Sequence, residues 1–198
     1  SGPTSHDVVA RARRILREKR IGHTGTLDPL ASGVLPLLVG RATRLARFLP
    51  GDKAYDAVVR LGQNTDTYDS QGTPSGPQYE GPWPARAAVD TALGAFRGTF
   101  LQQPPVYSAK KIGGQRSYAI ARRSKSGATA GTEPSDATET LSSRRLPQED
   151  PAPVLPTPTS VTAHAVDLLG VDGPLVRLHV RCSAGFYIRS LAFDLGAS

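Results

Sequence analysis

The sequence predicts an α/β (α+β) chain in which strands and helices are intermixed, and three stretches carry that expectation. Tyr55, Ala57, Val59 and Leu61 alternate with Asp56, Val58 and Arg60, the two-residue period of a half-buried strand. Val176, Leu178, Val180 and Cys182 alternate in the same way with Arg177, His179 and Arg181. Between them, Val89, Ala92, Leu93 and Phe96 recur at the steps of an amphipathic helix.

Taken in order, Thr4 followed three residues later by Asp7 resembles a capping box with Asp in the place of Glu. Val8, Ala12, Ile15 and Leu16 then keep helical spacing, and Arg11, Arg13, Arg14, Arg17, Lys19 and Arg20 cover the other faces. A basic helix face is ordinarily just solvated; Arg14 and Arg17, near the loop described below, are also candidates for phosphate contact. Val34 to Val39 reads as a short buried strand despite Pro36, and Arg41 to Leu49 as a short helix stopped by Pro50 and Gly51. The Tyr55 strand comes next, then Asp66 and Asp69, whose expected work is turn and loop hydrogen bonding. The helix around Val89 is closed by Gly98.

Residues 101–123 interleave rings and cations, among them Tyr107, Lys110, Lys111, Arg116, Tyr118 and Arg122, a mixture suited to stacking and phosphate contact. An ordinary loop followed by a solvated helix is the plainer alternative. Residues 124–160 are dominated by Ser, Thr, Ala, Gly and Pro, with Leu141, Leu146, Val154 and Leu155 as the larger aliphatics. Such a stretch cannot offset an ordering entropy of roughly 1–2 kcal/mol per residue, so composition predicts a disordered insertion. Order returns with a strand over Val161–Leu169. The strand ending at Cys182 follows, then a helix marked by Ile188, Leu191, Ala192 and Leu195 and ended by Gly196.

Composition narrows the function classes. The 198 residues carry a net charge of +7, and the sequence pI is near 9.9, which favours a polyanionic partner. No apolar run reaches the roughly 18 residues of a membrane span. With Cys182 as the one cysteine, an internal disulfide, a Cys-based zinc cluster and a redox pair are all excluded. Cys182 reads as a small core residue. The four histidines lack metal-ligand spacing, so no metal is expected. A reducing cytoplasm suits such a chain.

The chemistry concentrates in Gly22-His23-Thr24-Gly25-Thr26-Leu27-Asp28-Pro29-Leu30-Ala31-Ser32-Gly33. A single carboxylate, Asp28, sits among small, turn-forming and hydroxyl residues. Pro29 fixes φ and removes a donor, so Asp28 belongs on a loop, where catalytic side chains are often held by a rigid scaffold. Taken alone, an Asp-Pro in a Gly-rich turn is more often a capping residue. The run is not a phosphate cradle, since it lacks the lysine and spacing of a P-loop.

All twelve positions of this string resemble the catalytic motif of the TruB family of RNA pseudouridine synthases, in the bacterial form, which carries Thr rather than Ser at the position of Thr24. The likeness extends along the chain. Pro3 to Val9 resembles the tail of the family's opening motif, and Lys53-Ala54-Tyr55 with Leu61-Gly62 and Thr65 to Asp69 its second motif. Gln103 to Lys110 resembles the start of the RNA-gripping insertion, and Cys182 to Arg189 the motif that supplies an active-site arginine.

The resemblance implies a mixed, largely antiparallel sheet flanked by helices, the pseudouridine synthase catalytic fold. It implies one catalytic domain over 1–198, truncated at both ends, with the RNA-gripping insertion at about 101–123 and the disordered insertion after it. It implies isomerisation of a flipped-out T-loop uridine of tRNA to pseudouridine, with no cofactor and no nucleotide, by a cytoplasmic monomer. Asp28 would be the nucleophile and Arg189 would pair with it and orient it. Tyr55 would stack on the base and join the final proton abstraction, and His23 would fill space in the opened loop. Lys53 would join Arg14, Arg17, Lys110, Lys111, Arg116 and Arg122 in holding the T-arm. Two other readings remain at this level: a non-catalytic RNA-binding or tRNA-folding module of the same fold, and, more distantly, a glycoside hydrolase pairing Asp28 with Asp66 or Asp69.

Overall fold

The computed structural model describes residues 2–108, 111–112, 115–116 and 156–198. In chain order the described elements begin with helix α1 (Ser5–Leu16), strands β1 (Ile21–His23) and β2 (Leu37–Val39), and a 3-10 helix over Gly40–Phe48. Strand β3 (Lys53–Arg60), the short strands β4 (Asn64–Thr65) and β5 (Pro74–Ser75), helix α2 (Arg86–Leu93) and strand β6 (Gly98–Gln102) follow. Then come β7 (Lys111–Ile112), β8 (Gln115–Arg116), the long β9 (Thr159–Asp172), β10 (Leu175–Cys182) and helix α3 (Ile188–Ala197). The chain divides into two compact units, Ser1–Gln102 with Ser160–Ser198, and Gln103–Thr159.

The first unit is built on the sheet β3-β10-β9-β6, in which β10 pairs antiparallel with both β3 and β9. Its inner face is the alternation visible in the sequence: Val176, Leu178, Val180 and Cys182 are fully buried, and Arg177 and Arg181 point outward. Val89 and Leu93 of α2 and Leu191 and Leu195 of α3 close over that face, so the core lies between the sheet and helices whose periodicity placed them there. β9 carries two register shifts against β10, which leave Leu169 and His164 out of the pairing. The second shift falls opposite Cys182 and places its extra residue, His164, on β9, the strand that bends there. The predicted sheet flanked by helices is therefore the observed architecture, and no described helix is long and apolar enough to cross a membrane.

Several local expectations are corrected. The capping box forms, with Thr4 and Asp7 exchanging bonds, but Ile15 and Leu16 at the end of α1 are exposed, at 68% and 54%. Val34 to Val39 is not a buried strand. Val34 is 88% exposed and pairing begins only at Leu37, since Pro36 has no N–H to give the ladder. Gly196 lies inside α3 rather than ending it, and its backbone is not left-handed. Residues 101 and 102, read as the start of the insertion, belong to β6, and residues 159 and 160, read as its disordered end, already belong to β9. Residues 124–155 of that insertion lie outside the described residues.

Candidate active site

Asp28 sits on the loop between β1 and β2, which pair with each other and so pin both of its ends. Inside the loop, Pro29 occupies the second position of a turn closed by Ala31 N–H donating to the Asp28 carbonyl at 2.9 Å. The buried Ser5 of α1 grips the preceding residue: its hydroxyl accepts from Leu27 N–H at 3.0 Å. The imidazole of His23, the last residue of β1, donates from Nδ1 to the Gly25 carbonyl at 2.6 Å.

Arg189 arrives from the far end of the chain. Cys182 ends β10, a turn through Gly185 at φ 82° reverses direction, and α3 begins at Ile188. The start of α3 is fixed by Gln102, whose side chain is 1% exposed and whose amide accepts from Tyr187 N–H at 2.8 Å and donates to the Tyr187 carbonyl at 3.0 Å. Arg189 then meets Asp28 as a fork: Nε donates to Oδ2 at 2.9 Å and Nη2 to Oδ1 at 3.0 Å. Its third donor, Nη1, reaches the Thr67 carbonyl at 2.9 Å. A cation in the first turn of a helix opposes the helix dipole, so this guanidinium depends on the anions around it.

A second carboxylate faces the same cation. Asp69 Oδ2 lies 3.7 Å from Arg189 Nη1, while its Oδ1 accepts from Thr67 Oγ1 at 2.8 Å and Gln71 N–H at 2.9 Å. Asp66 Oδ1 accepts from Thr73 N–H at 2.8 Å. Both aspartates do the turn bonding expected of them, and Asp69 has the additional contact that sequence reasoning missed. Gly72 lets this loop close, because a Cβ there would fall 2.2 Å from Thr67 Oγ1. Exposure separates the two carboxylates: the Asp28 side chain is 39% exposed and that of Asp69 only 13%. Asp28 is thus held by a bidentate partner and still open to a ligand, whereas Asp69 is engaged within the protein.

Tyr55 and Lys53 stand at the same end of the sheet, opposite Val180 and Cys182 of β10. Burial pushes the Tyr55 phenol up, with Cys182 and Asp28 adding to the rise, so the half-buried ring is neutral and lies within electrostatic reach of Asp28. Lys53 borders the Asp28 loop: a Cβ on Gly25 would lie 3.1 Å from its ammonium. The structure therefore brings Asp28, Arg189, Tyr55, Lys53 and His23 into one region. Arg14 and Arg17 are exposed on and just after α1. In the second unit, Lys111 and Arg116 are paired across β7 and β8, and Lys110 and Arg122 lie outside the described residues. The sequence reading passed over Arg41, Arg44 and Arg47, all exposed on the 3-10 helix. Residues three apart eclipse on such a helix, at about 6 Å per turn, so the three form one row; a three-residue repeat was the signal available. Among the described residues, no group of three or more His, Cys, Asp or Glu could hold a metal ion.

A family model described as the TruB family pseudouridylate synthase N-terminal domain matches residues 13–135. The chain belongs to the TruB family. Among curated TruB-type relatives, the tRNA pseudouridine synthase B of Solibacter usitatus (strain Ellin6076) is 42% identical over 98% of this chain and 57% of its own length. That of Synechococcus sp. (strain CC9311) is 44% identical over 99% and 57%. The chain thus spans just over half the length of these relatives. A chain in the crystal structure of a Cbf5-Nop10-Gar1 complex shares the fold with a TM-score of 0.60 at 27% identity, covering 99% of this chain and 41% of that one.

Proposed function

We propose that this chain carries the catalytic face of a tRNA pseudouridine synthase acting on a T-loop uridine, with Asp28 as the nucleophile. The observation that carries the reading is the Asp28–Arg189 fork, in which one carboxylate is fixed at both oxygens and remains solvent-open. Family membership supports the reaction class, and the net charge of +7 supports a polyanionic substrate. The reaction is an isomerisation: the bond from N1 to C1′ breaks, the base turns, C5 bonds to C1′, and the C5 proton leaves while N1 gains one. The nucleotide must first be flipped out of its stack, at a cost of a few kcal/mol.

In this reading the Asp28 carboxylate bonds to C1′ as the bond to N1 breaks, and it is displaced in turn when C5 bonds to C1′, as in covalent glycoside chemistry. Arg189 keeps both oxygens aimed, and the neutral Tyr55 ring stacks on the base. The raised Tyr55 phenol makes a resting phenolate costly, which favours the stacking role over that of a standing base. Lys53 and the exposed arginines take phosphates of the T-arm, and the enzyme works as a cytoplasmic monomer without a cofactor. A glycoside hydrolase using Asp69 is disfavoured by the engagement of that carboxylate with Arg189, Thr67 and Gln71. A module that only bound RNA would have no use for an aimed, open carboxylate. The test is pseudouridine formation in a tRNA transcript by the full-length protein. Asp28→Asn abolishes it and leaves tRNA affinity within about threefold, because phosphate contacts lie elsewhere. Turnover by the Asn variant would overturn the assignment.

A further inference from the structure

Tyr68 occupies a costly position. Its φ is 60°, in the left-handed region that glycine or asparagine fills far more readily than an aromatic residue. Such a conformation persists only where the surroundings over-determine it. The ring supplies the reason: it stacks on Phe193 of α3 with centroids 4.1 Å apart and planes 18° from parallel. Phe193 lies four residues after Arg189, hence on the same face of the helix, one turn further along. Tyr68 also stands between the two residues that touch Arg189 from this loop, Thr67 through its carbonyl and Asp69 through its carboxylate.

We propose that the Tyr68–Phe193 stack is a clasp that positions Arg189. It ties the 65–73 loop to α3 one turn from the guanidinium, so that the Thr67 carbonyl and Asp69 hold Nη1 while Nε and Nη2 stay aimed at Asp28. The left-handed turn at Tyr68 is what sets the Thr67 carbonyl and the Asp69 side chain on the same cation. Glycine would adopt that turn at lower cost but would bring no ring to the helix. Tyr68 and Phe193 act through Arg189 and are positioning residues. Their catalytic consequence rests on Asp28 being the nucleophile.

The experiment compares the full-length protein with Phe193→Ala, Phe193→Tyr and Tyr68→Gly by three measurements: single-turnover pseudouridine formation, tRNA affinity, and hydrogen exchange at Arg189 Nε–H by nitrogen-15 NMR. Phe193→Ala and Tyr68→Gly slow the single-turnover step by about tenfold or more, as small misplacements of aimed groups do. They leave tRNA affinity within about threefold and speed Nε–H exchange. Phe193→Tyr, which keeps a ring on the helix, recovers the rate lost in Phe193→Ala. Parent-like rates with unchanged Nε–H exchange would overturn the clasp, as would a loss confined to tRNA affinity or a Phe193→Tyr variant as slow as Phe193→Ala. If the parent forms no pseudouridine, the functional reading fails, and the Nε–H exchange comparison alone decides for or against the clasp.

Discussion

At the scale of the residue, the site is defined by how differently its ionisable side chains are held. Arg189 spends Nε and Nη2 on Asp28 and Nη1 on the Thr67 carbonyl, a use of planar geometry that lysine cannot reproduce. Arg189→Lys in the full-length protein therefore lowers the single-turnover rate by roughly 10- to 100-fold although the charge is kept. Parent-like turnover would show that charge alone suffices. Cys182 shows the opposite treatment: burial raises its thiol from 9.0 to about 11, partly offset by Lys53. The folded form thus holds that proton more tightly than the unfolded chain. The stability it contributes is complete below pH 9 and is lost as pH rises towards about 11. Urea titrations across that range should show the decline in the parent and a flatter profile in Cys182→Ala.

At the scale of the element, two clamps outside the Gly22–Gly33 string hold the candidate site. Ser5 in the first turn of α1 holds Leu27, and Gln102 at the end of β6 holds Tyr187 at the head of α3. Each is a buried polar side chain satisfied by backbone, so removing it costs more than the bond itself. Gln102→Leu, which keeps the volume but loses both bonds, is expected to cost about 1–3 kcal/mol, read as a lower urea midpoint at unchanged slope. Because Tyr187 is two residues from Arg189, the variant also loses activity beyond what its folded fraction explains. Neither clamp was legible in the sequence, since a lone Ser or Gln carries no pattern until the backbone it serves is brought beside it. The capping box, the alternating strands and the α2 stripe were legible because each is decided within a few residues. Ile15 and Leu16 kept the right period and still ended exposed, since period specifies a face and not what covers it.

At the scale of the molecule, part of the net charge of +7 lies on two exposed groups of arginines among the described residues. The row of Arg41, Arg44 and Arg47 and the exposed Arg14 and Arg17 are all candidates for phosphates. Each phosphate contact contributes roughly 0.7–0.9 to the slope of log affinity against log salt. Replacing Arg44 and Arg47 by Ala should flatten the slope for tRNA by about 1.4–1.8. An unchanged slope would mean that the row is only solvated.

The sequence by itself determined the family, through twelve consecutive residues around Asp28, and it determined that Asp28 lies on a loop, because Pro29 and the flanking glycines act locally on the backbone. It also determined which strand faces turn inward, because alternation is a property of neighbours. The tertiary structure alone decided that Asp28 and Arg189, 161 residues apart, meet at 2.9 Å and 3.0 Å, that Asp69 shares the cation, and that Tyr68 takes a left-handed turn to reach Phe193. Those contacts join the β1–β2 loop, the 65–73 loop and the head of α3, and they form only once the sheet has carried its strand ends to one side. No local preference encodes such a meeting; it follows from chain connectivity, register and the closing of one core.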